Sequence, residues 1–263
     1  MKFVPKKSLG QNFLKDENII KKICDVGKIE KKNFVLEIGP GTGKLTEAIL
    51  LKKPRKIHLI EKDKRLIDQL TKKLKCNAEI INEDILKYDL KKLSNKNLIV
   101  FGNLPYNISS QILTKFIKYD KKDFLFKKLI FMFQKEVADR ILALENTNNY
   151  GRLSIFSSWK LNIKKIMDID PSCFLPKPKI TSSLLTFEPK LNFIRFNNPK
   201  NLEHVTNIFF NQRRKMINKP LNILFKNPKK IAEELNLDMN LRPQNLSKDI
   251  FYKICLTYEK LIK

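Results

Sequence analysis

The chain has 263 residues, 42% of them hydrophobic, enough to bury the core of one large domain plus a small one, which excludes an intrinsically disordered polypeptide. Its 53 Lys and Arg outnumber 27 Asp and Glu, for a formal charge of +26, and an excess of that size points to a polyanionic partner, nucleic acid before a membrane surface. Cys24, Cys76, Cys173 and Cys255 are scattered and only His58 and His204 accompany them, so neither a disulfide framework nor a zinc site is expected.

The first residues, Met1-Lys2-Phe3-Val4-Pro5-Lys6-Lys7, have no apolar signal core, and no run approaches the roughly eighteen apolar residues of a membrane-spanning helix, so a cytoplasmic protein is expected. From about residue 34, strand-like apolar runs alternate with helical patterns. The strands read as Phe34 to Ile38, Ile57 to Glu61, Glu79 to Ile81, Leu98 to Phe101 and Leu129 to Phe133. Lys44 to Leu51 and Lys64 to Leu74 carry Leu and Ile at helical spacing and are the expected crossovers of a parallel sheet. Arg152 to Lys160 and Ser182 to Glu188 read as two further strands, joined by the proline-stiffened loop Phe174-Leu175-Pro176-Lys177-Pro178-Lys179 and able to close the sheet antiparallel. Beyond Leu191 only helical segments follow, at Asn201 to Asn211, Met216 to Phe225, Lys229 to Leu235 and Ser247 to Leu261, with Pro199, Pro220, Pro228 and Pro243 near their boundaries. The expected domains are therefore 1–190 and a helical 191–263.

Three of the seven glycines lie in Glu37-Ile38-Gly39-Pro40-Gly41-Thr42-Gly43, between the first strand and the first helix. Gly39 and Gly41 there let a ligand approach the backbone closely. A dinucleotide fingerprint would need glycine where Lys44 stands, and a P-loop would need glycine at Ile38 and Ser or Thr at Leu45, so NAD and a P-loop nucleotide are both disfavoured. Glu61 ends the second strand and Asp84 follows the third. A carboxylate at the first position can accept two ribose hydroxyls, and one at the second can accept an adenine amino group. Together with the glycine turn, this ordering resembles the S-adenosylmethionine-dependent methyltransferases: an α/β, Rossmann-like sheet with S-adenosyl-L-methionine as cofactor, here followed by a small C-terminal all-helical domain.

Asn103-Leu104-Pro105-Tyr106 sits after the apolar run Leu98 to Phe101 and before the helical start Asn107-Ile108-Ser109-Ser110. Such a position, outside the carboxyl end of a buried strand, is where open α/β sheets bind ligands. Pro105 stiffens the turn, so the Asn103 amide oxygen and the Leu104 carbonyl can be aimed at an NH2 group while Tyr106 offers a flat face to a base. Asn-x-Pro is also an ordinary turn signal, and Tyr after it an ordinary packing residue.

With this tetrapeptide, the sequence resembles the adenine-N6 dimethyltransferases of small-subunit ribosomal RNA, the kasugamycin-resistance methylase family. Lys7-Ser8-Leu9-Gly10-Gln11-Asn12-Phe13-Leu14 matches the family's N-terminal signature, and the likeness continues through Phe133-Gln134-Lys135-Glu136-Val137, Tyr150-Gly151-Arg152-Leu153-Ser154 and Asn211-Gln212-Arg213-Arg214-Lys215. The resemblance implies that Asn12, Leu14, Gly39, Gly41, Glu61, Asp84 and Asn103 bind the cofactor. It implies that Asn103, Leu104, Tyr106 and Phe174 form the catalytic set, with Phe174 stacking on the target adenine opposite Tyr106. It also implies a target of two adjacent adenines in a hairpin near the 3′ end of the small-subunit RNA. Its partners would be that RNA and the small ribosomal subunit precursor, met by a monomer, with Arg213, Arg214 and Lys215 gripping phosphates. Gln111 and Thr181 depart from the family pattern, at a common proline and a common acidic position, and touch loop geometry only. Competing readings are a large-subunit adenine methylase of the macrolide-resistance type, a catalytically idle ribosome-assembly factor and a DNA-binding factor on the same fold.

Overall fold

The computed structural model describes residues 5–6, 10–74, 78–93, 97–119 and 124–262. Lys7, Ser8 and Leu9 of the N-terminal signature, and Cys76, lie outside them. The described chain forms two compact units, the first running to Ala138 and including Asn162–Pro189, the second comprising Asp139–Leu161 and the residues from Lys190 onward.

The first unit is built on a seven-stranded sheet. After a short strand β1 (Phe13–Leu14) and helix α1 (Glu17–Val26), β2 (Phe34–Ile38), α2 (Lys44–Leu51), β3 (Lys56–Glu61), α3 (Lys64–Leu74) and β4 (Glu79–Asn82) alternate. They are followed by β5 (Leu98–Asn103), α4 (Ser109–Lys118), β6 (Phe126–Gln134) and α5 (Lys135–Leu142). The first unit also holds β7 (Leu161–Ile169), β8 (Phe174–Leu175) and β9 (Ser182–Pro189). Strand order is β4-β3-β2-β5-β6-β9-β7, and β1 pairs with β8 in a separate ribbon. The pairs among β2 to β6 are parallel, as apolar runs without alternation require when both faces are covered. β9 runs antiparallel to β6, as its expected closing role demands. Helix α3 turns Leu66, Leu70 and Leu74 inward at four-residue spacing, and Phe116, Phe126, Phe131, Phe133 and Phe187 meet mostly edge to face in the core around β6.

The chain leaves β2 toward β3 and β4 on one side and returns to β5 on the other, so the order reverses between β2 and β5. Ile38 is level with both Ile60 and Gly102. The next residue on each strand, Gly39, Glu61 and Asn103, therefore forms one row at the carboxyl edge of the sheet, directly at the switch point where such sheets hold ligands.

In the second unit, α6 (Arg152–Lys160) precedes α7 (Pro199–Phe210), α8 (Asn218–Leu224), α9 (Pro228–Glu234) and α10 (Lys248–Leu261). Pro199 and Pro228 open their helices, with Asn198 and Asn227 as caps, and Ser247 caps α10. The buried Glu259 carboxylate accepts the Asn197 and Asn198 N–H groups, each at 2.9 Å, and the Asn201 side-chain amide, tying the entry of α7 to α10.

Two expectations are corrected. Arg152 to Lys160 is helical, not a strand: Ser154, Ile155, Phe156, Ser157, Trp159 and Lys160 are all buried, so the segment lacks the polar face that separates a helical from an extended apolar run. The strand beside β9 is the segment immediately after it, β7. The domain boundary also differs from 1–190 and 191–263, because Asp139–Leu161 clusters with the C-terminal helices, where α6 packs on α7 and α10.

Candidate active site

One cleft of the first unit gathers most of the residues singled out by motif. Its lining includes Gly10 to Phe13, Gly39, Gly41, Glu61, Asp84, Asn103 and Pro105, closed by the apolar side chains of Ile38, Ile60, Leu66, Ile85 and Ile108. Four strand ends and one N-terminal segment thus converge, as the shared register of β2, β3 and β5 dictates.

The glycine turn is left-handed at Gly39, Gly41 and Gly43, with φ of 66°, 58° and 79°. At Gly41 the demand is doubled, since a Cβ would lie 2.6 Å from the Phe13 ring. The Glu61 carboxylate accepts the Asp63 N–H at 2.8 Å and the Gly41 N–H at 3.3 Å. Burial raises its pKa, and the N–H groups of Asp63, Gly41 and Lys62 only partly counter that. An ionised carboxylate has about four lone-pair directions, so after these N–H groups it still has capacity to accept from a ribose hydroxyl. Asp84 accepts the Leu86 N–H and the Lys62 ammonium, both at 2.9 Å. Burial opposes its ionisation, but those two donors outweigh it and hold its carboxyl below the usual range. Glycines that open the backbone, a diol acceptor, a second carboxylate and apolar walls for a purine fit S-adenosylmethionine.

Asn103 shows how the reacting end is arranged. Its Nδ2 donates to the Asn12 carbonyl at 2.7 Å. The partner is an acceptor only, so the amide orientation is set by chemistry and Oδ1 is the atom left to accept. In the following turn the Pro105 carbonyl accepts the Ile108 N–H and the Tyr106 carbonyl accepts the Ser109 hydroxyl. Tyr106 is fixed by a 2.7 Å hydrogen bond between its hydroxyl and the buried Ser182 Oγ, and burial raises its pKa. The Leu104 side chain is buried over Gly102, where a Cβ would strike it at 2.4 Å.

Leu14 and Phe174 do not line the cleft. They face each other across the β1–β8 ribbon and belong to the hydrophobic core. Phe174 is 1% exposed and its ring packs in the core, whereas its neighbour Leu175 is 61% exposed.

Three features were not legible from spacing. Gln11 Nε2 donates to Asp63 Oδ2 at 2.9 Å, and Arg65 grips the same carboxylate, pushing its pKa down to about 2. That pairing spans 52 positions and pins the N-terminal segment beside Glu61. Glu37, at the buried end of β2, accepts the Thr46 hydroxyl at 2.7 Å; burial pushes its pKa up to about 7, with Thr46 opposing and the Glu61 charge adding. In the second unit, Arg213 is bound to Gln244 and to the Thr147 carbonyl, whereas Arg214 and Lys215 are exposed. Of the expected phosphate-gripping trio, only the latter two present their charges outward.

The fold and cleft are those of an S-adenosylmethionine-dependent methyltransferase. The family model described as ribosomal RNA adenine dimethylase matches residues 3–260, and the chain belongs to that family. Ribosomal RNA small subunit methyltransferase A of Pelagibacter ubique is 55% identical over 256 residues, covering 97% of each chain. The protein of the same description from Francisella tularensis subsp. novicida is 41% identical over 247 residues, 92% of this chain and 93% of that one. Among solved structures, a dimethyladenosine transferase from Plasmodium falciparum aligns with a TM-score of 0.80 at 30% identity, over 94% of this chain and 98% of that chain. The 23S rRNA methyltransferase ErmE aligns at 0.67 with 20% identity, over 94% and 99%, and shares the fold. The chain is an S-adenosylmethionine-dependent ribosomal RNA adenine methyltransferase, and ribosomal RNA is its partner.

Proposed function

We propose that this enzyme dimethylates N6 of two adjacent adenines in a hairpin near the 3′ end of small-subunit ribosomal RNA, acting on the small-subunit precursor as a cytoplasmic monomer without a membrane partner. Similarity to the small subunit methyltransferases A supports the target. The observation that carries the chemistry is the Asn103 amide, whose nitrogen is committed to the Asn12 carbonyl.

The N6 lone pair of adenine is delocalised into the ring, so the site must favour its pyramidal, nucleophilic form. Asn103 Oδ1 and the Leu104 carbonyl accept the two amino hydrogens and stabilise positive charge developing on nitrogen, an electrostatic contribution prepared before reaction. Tyr106, held by Ser182, stacks on a base drawn out of its helix, and such stacking returns about 1–3 kcal/mol of the unstacking cost. S-adenosylmethionine supplies the activated methyl group when bound. Glu61 would take its ribose hydroxyls and Asp84 its adenine amino group, with the Gly39–Gly41 turn and Asn12 flanking the remainder. The helical unit carries RNA contact through exposed cations, Arg214 and Lys215 among them.

Radiolabelled methyl transfer to unmethylated small subunits, with large subunits and naked DNA in parallel, tests the target. Label recovered as N6,N6-dimethyladenosine in small subunits alone is expected; label in large subunits overturns the target. Asn103→Ala should lower the single-turnover rate by roughly 10²–10³ with cofactor affinity retained, and near-normal turnover would refute its role.

A further inference from the structure

The Asp84 turn is held from two sides. From within, the Asp84 carbonyl accepts the Lys87 and Tyr88 N–H groups, each at 2.8 Å, and its carboxylate accepts the Leu86 N–H. Those bonds leave the Leu86 and Tyr88 carbonyls to be satisfied from elsewhere. Both are taken by one ammonium: Lys115 Nζ donates to Leu86 O at 2.9 Å and to Tyr88 O at 2.6 Å. Lys115 lies on α4, the helix that starts three residues after Tyr106. Ile108, at the head of that helix, and Asp84, Ile85 and Leu86, in the clamped turn, line the same cleft.

We propose that Lys115 is a positioning residue for the cofactor: its ammonium locks the adenine-holding turn, residues 84 to 88, to the helix that carries the target-amine motif. Two charge-assisted bonds from one side chain fix where Asp84 presents its carboxylate relative to Asn103. Met offers no donor, and the uncharged Gln amide sits one bond closer to the backbone, so either replacement weakens or loses the hold on the two carbonyls and lets the turn drift. Burial lowers the Lys115 pKa, and the nearby Asp89, Asp84 and Glu83 carboxylates only partly counter that. The inference rests on reading the cleft as the S-adenosylmethionine site, and it concerns affinity, since Lys115 itself does not line the cleft.

The test compares Lys115→Met, Lys115→Gln and Lys115→Arg with the parent enzyme and with Glu61→Ala. Calorimetry with S-adenosylhomocysteine gives the affinity, and steady-state kinetics on unmethylated small subunits gives KM and kcat. Lys115→Met and Lys115→Gln should each weaken S-adenosylhomocysteine binding and raise the cofactor KM about tenfold. At saturating cofactor kcat should stay within about threefold, and Lys115→Arg, which keeps a charged donor, should recover most of the affinity. Unchanged affinity in both neutral variants, or a fall in kcat with KM unmoved, overturns the proposal. If Glu61→Ala binds S-adenosylhomocysteine normally, the reading of the cleft has failed; if Glu61→Ala loses affinity and the Lys115 variants do not, the positioning role alone has failed. Should Lys115→Met not fold, the Gln and Arg variants carry the same comparison.

Discussion

Glu37 is ionisable, buried and 2% exposed, and its pH behaviour can be worked out in advance. In the unfolded chain its carboxyl ionises near 4.5; in the fold, burial moves that to about 7. The folded state therefore binds the proton more tightly, and stability is greatest below pH 4.5 as far as this group is concerned. As pH rises from 4.5 toward 7, the unfolded chain ionises while the folded one does not, so stability falls, and above about 7 the loss is complete. At roughly 1.4 kcal/mol per tenfold change in proton affinity, the loss amounts to about 3 kcal/mol. Glu37→Gln keeps an oxygen to accept the Thr46 hydroxyl and cannot ionise. Urea unfolding of both proteins at intervals between pH 4.5 and 8 isolates the effect, because other titrations largely cancel in the difference. The variant should gain about 3 kcal/mol on the parent across that range, most of it below pH 7. A difference independent of pH would show that Glu37 ionises normally in the fold and would refute the reasoning.

Gly41→Ala combines a left-handed backbone with a Cβ 2.6 Å from Phe13; it should cost about 1–2 kcal/mol in thermal or urea unfolding and abolish measurable S-adenosylhomocysteine binding in calorimetry. Tyr106→Phe keeps the ring but strands the buried Ser182 hydroxyl, so unfolding should show a loss of about 1–3 kcal/mol, with methyl transfer slowed rather than abolished; unaltered stability would mean the 2.7 Å bond contributes nothing net. Exchanging Arg214 and Lys215 together for Ala should reduce the slope of log binding constant against log salt by about 1.4–1.8 in filter-binding or anisotropy titrations with ribosomal RNA. Arg213→Ala should instead destabilise the Thr147 turn, seen as faster amide exchange there, and leave that slope close to the parent's.

Much of the molecule is legible in its sequence. Apolar runs without alternation mark the parallel strands β2, β3 and β5, and Gly39, Glu61 and Asn103, at or just past their carboxyl ends, stand out as candidates because strand ends are where such sheets put chemistry. Their identity was local information: a turn needing φ above zero demands glycine, and an amide after a strand followed by proline is rigid. Helix α6 shows no helical period in sequence because its buried residues, Ser154 to Ser157 with Trp159 and Lys160, leave no polar face to detect. Everything that depends on distance along the chain was decided by the tertiary structure. The register that levels Ile38 with Ile60 and Gly102, the bond from Gln11 to Asp63, the clamp from Lys115 onto the Asp84 turn and the burial of Phe174 against Leu14 join residues dozens of positions apart. Hydrogen-bonding capacity is a property of one residue and can be read from it; which partner satisfies it, and how far from water, is a property of the packed fold.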